Sequence, residues 1–373
     1  MPKILQVSTR HNVGGISKLI IELLGDSDFE QVYATGTCES NEKEYSLELA
    51  STSTNIFTFT RIRRLRRSIN FTNDVLALFS LIKVIRQEKP DIIHTHMSKA
   101  GLLGRVAALI SISGVKTVHS YHGHVLEGYF NKFFAQMIIC IEGFLGKYTD
   151  TFVFDGFQTL IEIRNYGIKP RKNQQVILPG LIKQISNKNL IRASDQELKI
   201  LVVARIERIK RIDLVLDVAR SLVENHPSLN YEIKIVGDGE LRQFFEIQST
   251  SELLPVKFVG WQDSMNEHYR EANLLLSTSD SEGTPLTFME AASFGCPIVS
   301  TNVGSVADLI DDKKTGILCE KNAGTIAAEI VDLWRNQKLF EAYSRNSIVK
   351  ASSEFMADTF MKKHAELYKS LLT

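Results

Sequence analysis

Short apolar runs alternate with segments of helical period along two stretches of this chain, a pattern that leaves few folds open. A strand followed by a helix and then another strand pairs in parallel, and a series of such units builds a sheet with helices on both faces. In the first stretch the strands read as Lys3–Val7, Gln31–Thr35, Ile56–Phe59, Ile92–His94, Lys116–Ser120 and Thr151–Phe154, closed by Val176-Ile177-Leu178-Pro179-Gly180. From Leu181 to Asp195 the apolar periodicity gives way to Lys, Asn, Ser and Gln, which reads as a linker. A second series follows with Lys199–Ala204, Tyr231–Val236, Val256–Val259, Asn273–Ser277 and Pro297–Ser300. At 373 residues the chain exceeds the usual size of one core. The expected fold class is therefore α/β, with two doubly wound, Rossmann-like parallel-sheet domains facing a cleft at the carboxyl ends of their strands. The expected bounds are 1–182 and 196–354, with a last amphipathic helix, Phe355–Leu372, that sets Phe360, His364, Leu367 and Leu371 on one face.

Composition excludes several classes. With 44% hydrophobic and 23% charged residues the chain is an ordinary globular protein, and a net charge of +1 argues against a generally basic nucleic-acid binder. Its four cysteines lie in apolar surroundings without Cys-x-x-Cys spacing and read as reduced core thiols of a cytosolic protein. The opening residues carry no signal-peptide pattern. The longest apolar stretches, Leu102–Val115 and Phe133–Gly146, are interrupted by Arg105 and Glu142 and fall short of the roughly 20 residues of a membrane span.

The run Ser279-Asp280-Ser281-Glu282-Gly283-Thr284-Pro285-Leu286-Thr287-Phe288-Met289-Glu290 places two carboxylates around a helix start. Thr284 suits an N-cap, Pro285 the first helical position, and Gly283 a close backbone approach by a ligand. The amides of Leu286 and Thr287 would then point outward at the positive end of the helix dipole, a natural site for a diphosphate. Alone, the segment is equally compatible with two solvated carboxylates. Strand Lys199–Ala204 runs into Arg205-Ile206-Glu207-Arg208-Ile209-Lys210-Arg211, where Arg205 and Lys210 either reach an anion or belong to a solvated charged turn. Gly14-Gly15 after the first strand is either a tight turn or a place where backbone approaches a phosphate or sugar. Gly237-Asp238-Gly239 has Arg242 where a dinucleotide fingerprint has its third glycine, which weakens a nicotinamide reading. His94, His96, His119, His122 and His124 cluster at strand ends in no zinc spacing, and His122, beside Gly123, is the one placed at the cleft.

Together the Glu282/Glu290 pair, Arg205 with Lys210, Gly14-Gly15 and His122-Gly123 resemble a retaining family 4 glycosyltransferase of the GT-B fold, of the type that builds bacterial surface polysaccharides, over essentially the whole chain. The resemblance implies that the second domain binds a nucleotide-sugar donor, UDP-linked, and the first an acceptor. It implies that Arg205 and Lys210 hold the diphosphate with the helix-start amides, Glu290 the ribose, and Glu282 and His122 the transferred sugar. Gly15 would let the first domain close on the phosphates, the base would lie near Val259-Gly260-Trp261, and the last helix would cross back onto the first domain. No cofactor and no catalytic metal are implied, and retention is expected to proceed by front-face attack through an oxocarbenium-like ion. The sequence departs from the family at Arg211, where glycine is common, and at Leu178-Pro179-Gly180, in place of Pro-Asn-Gly. A catalytically silent glycan-binding partner of the same fold, a nucleotide-sugar epimerase or hydrolase, and a sugar phosphorylase are the other readings.

Arg61-Ile62-Arg63-Arg64-Leu65-Arg66-Arg67, with Ile69 and Phe71 following, reads either as a patch for an anionic membrane surface or as a solvated helix face or nucleic-acid patch. The membrane reading implies a protein on the inner face of the cell membrane taking a lipid-linked glycan acceptor. Lys99, in His94-Thr95-His96-Met97-Ser98-Lys99-Ala100-Gly101, is either a contact for an acceptor diphosphate or a surface lysine.

Overall fold

Both series of strands form all-parallel sheets in a computed structural model of the chain, which describes residues 1–12, 14–40, 42–45, 57–111, 114–123, 132–180, 182–183, 185, 197–262 and 264–373. Apart from residues 182, 183 and 185, the expected linker lies outside the described residues, as do His124 and Ile56. The chain divides into two compact units, residues 1–181 with 357–373, and residues 182–356.

In the first unit, strands β1 (Lys3–Ser8), β2 (Glu30–Thr35), β3 (Thr58–Arg61), β4 (Ile92–His96), β5 (Lys116–Tyr121), β6 (Thr151–Phe154) and β7 (Asn173–Val176) lie in the order β3-β2-β1-β4-β5-β6-β7. Helices α1 (Gly15–Leu24), α2 (Phe71–Glu88), α3 (Ser98–Ser111), α4 (Lys132–Gly146) and α5 (Phe157–Asn165) connect them. The order reverses between β1 and β4, so the chain leaves these two neighbours toward opposite faces and opens a crevice at their carboxyl ends. Parallel strands covered on both faces must be apolar throughout, and Ile4, Leu5, Val7, Ile92, Ile93 and Val118 are all fully buried. β4 extends to His96, two residues past the apolar run, because its polar end finds partners inside the protein. β7, with sequence Asn-Gln-Gln-Val, is an edge strand whose polarity hid it from pattern reading.

Arg105 of α3 and Glu142 of α4, the two charges that interrupt the long apolar stretches, are each other's partners. The guanidinium donates to the Glu142 carboxylate at 2.6 Å, and the Tyr121 hydroxyl donates to its other oxygen at 2.7 Å. Arg105 is 2% exposed, so neither charge has water to fall back on.

The second unit repeats the plan with β8 (Leu198–Val203), β9 (Tyr231–Val236), β10 (Val256–Gly260), β11 (Leu274–Ser277), β12 (Ile298–Thr301) and β13 (Gly316–Cys319) in the order β10-β9-β8-β11-β12-β13. Its helices are α6 (Ile212–Asn225), α7 (Arg242–Ser251), α8 (Asn266–Glu271), α9 (Leu286–Ser293), α10 (Val306–Leu309), α11 (Ala323–Arg335) and α12 (Gln337–Glu354). Here the order reverses between β8 and β11, the strands that feed the Arg205–Arg211 turn and the Ser277–Pro285 loop. The last helix, α13 (Ala357–Leu372), belongs to the first unit, where Phe360, Leu367, Tyr368 and Leu371 pack with Ile4, Leu19, Ile92 and Val118. Among the described residues no helix is long and apolar enough to cross a membrane. Of the cysteines, Cys296 and Cys319 are buried and Cys140 is exposed, so the last is no core thiol.

Candidate active site

Neighbouring strands at a reversal of strand order deliver neighbouring loops, and in the second unit those two loops are locked together. The Asp280 amide donates to the Ile209 carbonyl at 2.8 Å, and the Thr278 hydroxyl donates to the Arg211 carbonyl at 2.9 Å. Between them Lys210 places its ammonium 2.7 Å from both oxygens of Glu282, while the Ser279 hydroxyl donates to one of these oxygens at 2.5 Å. Glu282 is 9% exposed, so this pair is strengthened by its partial exclusion from water. Gly304, with φ +54, packs on the Glu282 backbone so closely that an added Cβ would fall 1.7 Å from the Glu282 carbonyl oxygen.

The helix after this loop starts one residue later than the sequence suggested. Pro285 is the N-cap (φ −70, ψ 113) and Leu286 the first helical residue, so Thr284 is not the cap. The consequence for chemistry is small. Phe288 N–H bonds back to the Pro285 carbonyl at 3.1 Å, and the amides of Leu286 and Thr287 still stand at the positive end of α9. Gly283 and Thr284 lie in the same loop. One turn on, Glu290 accepts a 2.7 Å hydrogen bond from the hydroxyl of Tyr269 on α8. Burial and the adjacent Glu290 push the Tyr269 hydroxyl well above its ordinary range, so it remains a donor that fixes the carboxylate. Tyr269 escaped sequence reading because nothing about a lone tyrosine in a polar helix shows which carboxylate it will meet.

Arg205 is not drawn into the Lys210–Glu282 pair. Its side chain is 63% exposed and pairs with Glu207 at 2.9 Å, a surface cation beside the loop. Its backbone is fixed by Gly237 and Gly239, at which an added Cβ would approach Ala204 and Ile206 carbonyl oxygens to 1.9 and 2.4 Å. This close packing accounts for Gly-Asp-Gly without any dinucleotide. Arg211 sits at φ +51, in the left-handed region that favours glycine, and pairs with Asp213 at 2.8 Å and Asp280 at 3.2 Å. The left-handed cost, roughly 1 to 2 kcal/mol, is offset by tying the turn to the Glu282 loop. Gly260 ends β10 at φ +73 against the Arg242 guanidinium, and Trp261 beyond it is 47% exposed.

In the first unit, Gly14 is the N-cap of α1 and Gly15 its first residue. An added Cβ at Gly14 would meet only Asn12, at 3.8 Å, so the fold itself does not demand glycine there. His122 follows β5, and Gly123 turns the chain at φ +111. Both His122 ring nitrogens are engaged, Nδ1 with Asp155 at 2.7 Å and Nε2 with His96 Nδ1 at 3.0 Å. His94 lies between Tyr368 and Ser120, each at 2.7 Å, and His119 bonds Thr95. Among the described residues no group of three or more His, Cys, Asp or Glu side chains is arranged to hold a metal ion.

The basic run divides. Arg61 ends β3, turns inward to the Gly36 carbonyl and Glu44, and lies over the Phe59 ring, while Ile62 and Leu65 are buried. Arg63, Arg64, Arg66 and Arg67 are exposed on a loop rather than a helix, next to Ile69 and Phe71 at 84% and 83% exposure. Lys99 is held by Asp74 and the Ser68 carbonyl.

Family comparison matches both units. The family described as "Glycosyl transferases group 1" covers residues 183–350, and "Glycosyltransferase Family 4" covers residues 30–181. The chain belongs to glycosyltransferase family 4. The glycosyltransferase is 27% identical over 269 residues, 69% of each chain, to the Escherichia coli UDP-Gal:alpha-D-GlcNAc-diphosphoundecaprenol alpha-1,3-galactosyltransferase. It is 27% identical over 307 residues, 80% of this chain and 81% of the other, to the Escherichia coli O-antigen biosynthesis glycosyltransferase WbnH. Its fold matches Anabaena Alr3699/HepE, solved in complex with UDP, with a TM-score of 0.80 over 99% of this chain and 100% of that one at 16% identity. The glycosyltransferase accordingly has the two-domain α/β GT-B architecture.

Proposed function

We propose that this glycosyltransferase moves a sugar, with retention of anomeric configuration, from a UDP-linked donor to a lipid-linked precursor of a surface polysaccharide. The observation that carries the reading is the Lys210–Glu282 pair beside the free end of α9, a cation, a carboxylate and two outward amides within one locked corner. The α9 amides, Lys210 and the exposed Arg205 would neutralise the departing diphosphate, a role for cationic side chains and helix-start amides that needs no metal. Glu282 would take hydroxyls of the sugar and Glu290, oriented by Tyr269, those of the ribose. The Val259-Gly260-Trp261 segment would receive the base. In the first unit, the unfilled space at Gly14 and the adjacent Gly15 favour a backbone contact with the ligand, and His122 would lie beside the sugar. As the bond from the anomeric carbon to the phosphate oxygen breaks, the acceptor oxygen would bond to the same face and its proton pass to the leaving phosphate.

The UDP donor is supported by the UDP bound to HepE, and the lipid-linked acceptor by the diphosphoundecaprenol substrate of the Escherichia coli relative. A cytoplasmic enzyme held at the inner membrane face is supported by the exposed Arg63, Arg64, Arg66 and Arg67 beside Ile69 and Phe71. Acceptor-dependent release of UDP from a UDP-sugar, unchanged by EDTA, is the expected result. UDP release without acceptor, or loss of turnover in EDTA, would contradict it. Co-sedimentation with anionic vesicles should fall when the four exposed arginines become serine, and equal pelleting would remove the docking site.

A further inference from the structure

The loop after β3 is plugged on its inner side and cationic on its outer side. Ile62 and Leu65 are buried, while Arg63, Arg64, Arg66 and Arg67 are exposed. The backbone is pinned to the end of β2, where the Ile62 amide donates to the Thr35 carbonyl at 2.8 Å and the Thr37 amide to the Leu65 carbonyl at 2.9 Å. An added Cβ at Gly36 would collide with the carbonyl oxygens of both Leu65 and Thr9, so the loop is packed down onto the start of the β1 loop as well. Lys99 on α3 holds the far end through the Ser68 carbonyl. The guanidiniums are therefore carried by a fixed loop, and a ligand need not order it.

Their charge is not neutralised within the unit. Other cations near this edge have partners, Arg10 with Glu42, Arg61 with Glu44 and Lys99 with Asp74. Among the described residues none of the four loop arginines pairs with a carboxylate. Arg64 donates to the Asn73 side-chain oxygen at 3.0 Å, and Glu39, the acid near Arg66, is taken by the Ser68 amide at 3.2 Å. Register gives the loop its place. Arg61, Thr35, Ser8 and His96 stand in one row across β3, β2, β1 and β4, so the loop leaves the sheet at the same carboxyl edge as the Gly14 loop and His122. β3 is two strands from β1 and three from β4, roughly 10 to 14 Å at the spacing of paired strands. Beside the arginines, where α2 begins, Ile69 and Phe71 are almost fully exposed.

We propose that this loop is the site for the diphosphate of the acceptor, with Ile69 and Phe71 against the start of the lipid chain that carries it. The inference rests on the proposed lipid-linked acceptor and names where its charged group is held. Guanidiniums take phosphate oxygens in pairs, and several on one fixed loop suit two linked phosphates. The glycan then runs from the edge strand toward the crevice between β1 and β4, where its hydroxyl meets the donor. An anionic bilayer offers the same chemistry, a phosphate on an apolar chain, but needs a membrane to do so.

Isothermal titration of a water-soluble short-chain prenyl diphosphate into the full chain, without vesicles, separates the two sources. Binding should be saturable in the wild type. Its Kd should rise about tenfold or more when Arg63, Arg64, Arg66 and Arg67 all become serine, with UDP affinity unchanged. Ile69→Ser with Phe71→Ser should weaken it in the same direction, and Lys210→Ala should leave it as it is. No binding in the wild type, or a loss in Lys210→Ala with none in the four-serine variant, would overturn the proposal. So would a four-serine variant that binds prenyl diphosphate normally yet no longer pellets with phosphatidylglycerol vesicles, since the loop would then be a membrane anchor alone. With a soluble prenyl-diphosphate glycan as acceptor, the four-serine variant should raise the acceptor KM about tenfold or more and leave the donor KM unchanged. A wild type that binds the prenyl diphosphate but transfers nothing to that glycan would refute the acceptor reading and uphold the site.

Discussion

Glu282 is set by backbone as much as by its side-chain partners. The αL turn at Gly304 presses on the Glu282 carbonyl, and the Ser305 amide donates to that oxygen at 3.4 Å. Gly304→Ala must therefore displace the Glu282 loop or move its own, and strain at φ +54 adds roughly 1 to 2 kcal/mol. The expected outcome is a tenfold or greater rise in the donor Kd, roughly 1.4 kcal/mol, in a protein that still folds. An unchanged Kd by calorimetry would show that the loop position is immaterial. Residues of this kind are invisible in the sequence: Gly304 lies in a Val-Gly-Ser segment with no charge and no motif, and its importance comes from a contact across 22 positions. Glu282, Glu290, Lys210 and the α9 corner, by contrast, are legible, because strand-loop-helix punctuation and charge type are local properties. What the sequence did not show was the pairing of Lys210 with Glu282, which follows from β8 and β11 being neighbours in the sheet.

Among elements, the α3–α4 contact depends on one buried ion pair. Replacing Glu142 by Ala leaves Arg105 and Tyr121 without their shared acceptor and should cost about 3 to 5 kcal/mol, whereas Arg105→Leu with Glu142→Leu should be close to neutral. Denaturant titration of the two variants checks this, and equal stabilities would contradict the account. In sequence these charges read as separate interruptions of apolar stretches. Only packing of the two helices makes them partners. The polar edge strand β7 and the short β13 went unread for a similar reason, since an edge position asks little of hydrophobic pattern and four residues carry little period.

Across the whole molecule, ionisable burial is concentrated in the first unit. His94, His96 and His119 are held well below their ordinary range by burial, and His11 and His364 are pushed down to about 4. In the unfolded chain these rings titrate near 6.5, so the unfolded state binds more protons below that pH. Stability is full above about 6.5 and is lost as pH falls toward 4, by up to roughly 3 kcal/mol for His364 alone. Hydrogen exchange at pH 5 should show β1, β4, β5 and α13 losing protection before the second unit, and simultaneous loss would refute this. The two-sheet plan was legible because alternation of strand and helix repeats over the whole length. The return of α13 to the first unit was expected from the family resemblance rather than from pattern alone, and it rests on a 16-residue amphipathic face that packs on Ile4 and Ile92.

The central claim is that the corner made by Lys210, Glu282 and the start of α9 grips the diphosphate of a nucleotide-sugar. Isothermal titration of UDP into the wild type and Lys210→Ala tests it most directly. The account predicts saturable binding that weakens at least tenfold in the variant, about 1.4 kcal/mol. Equal affinity in the two proteins would contradict it.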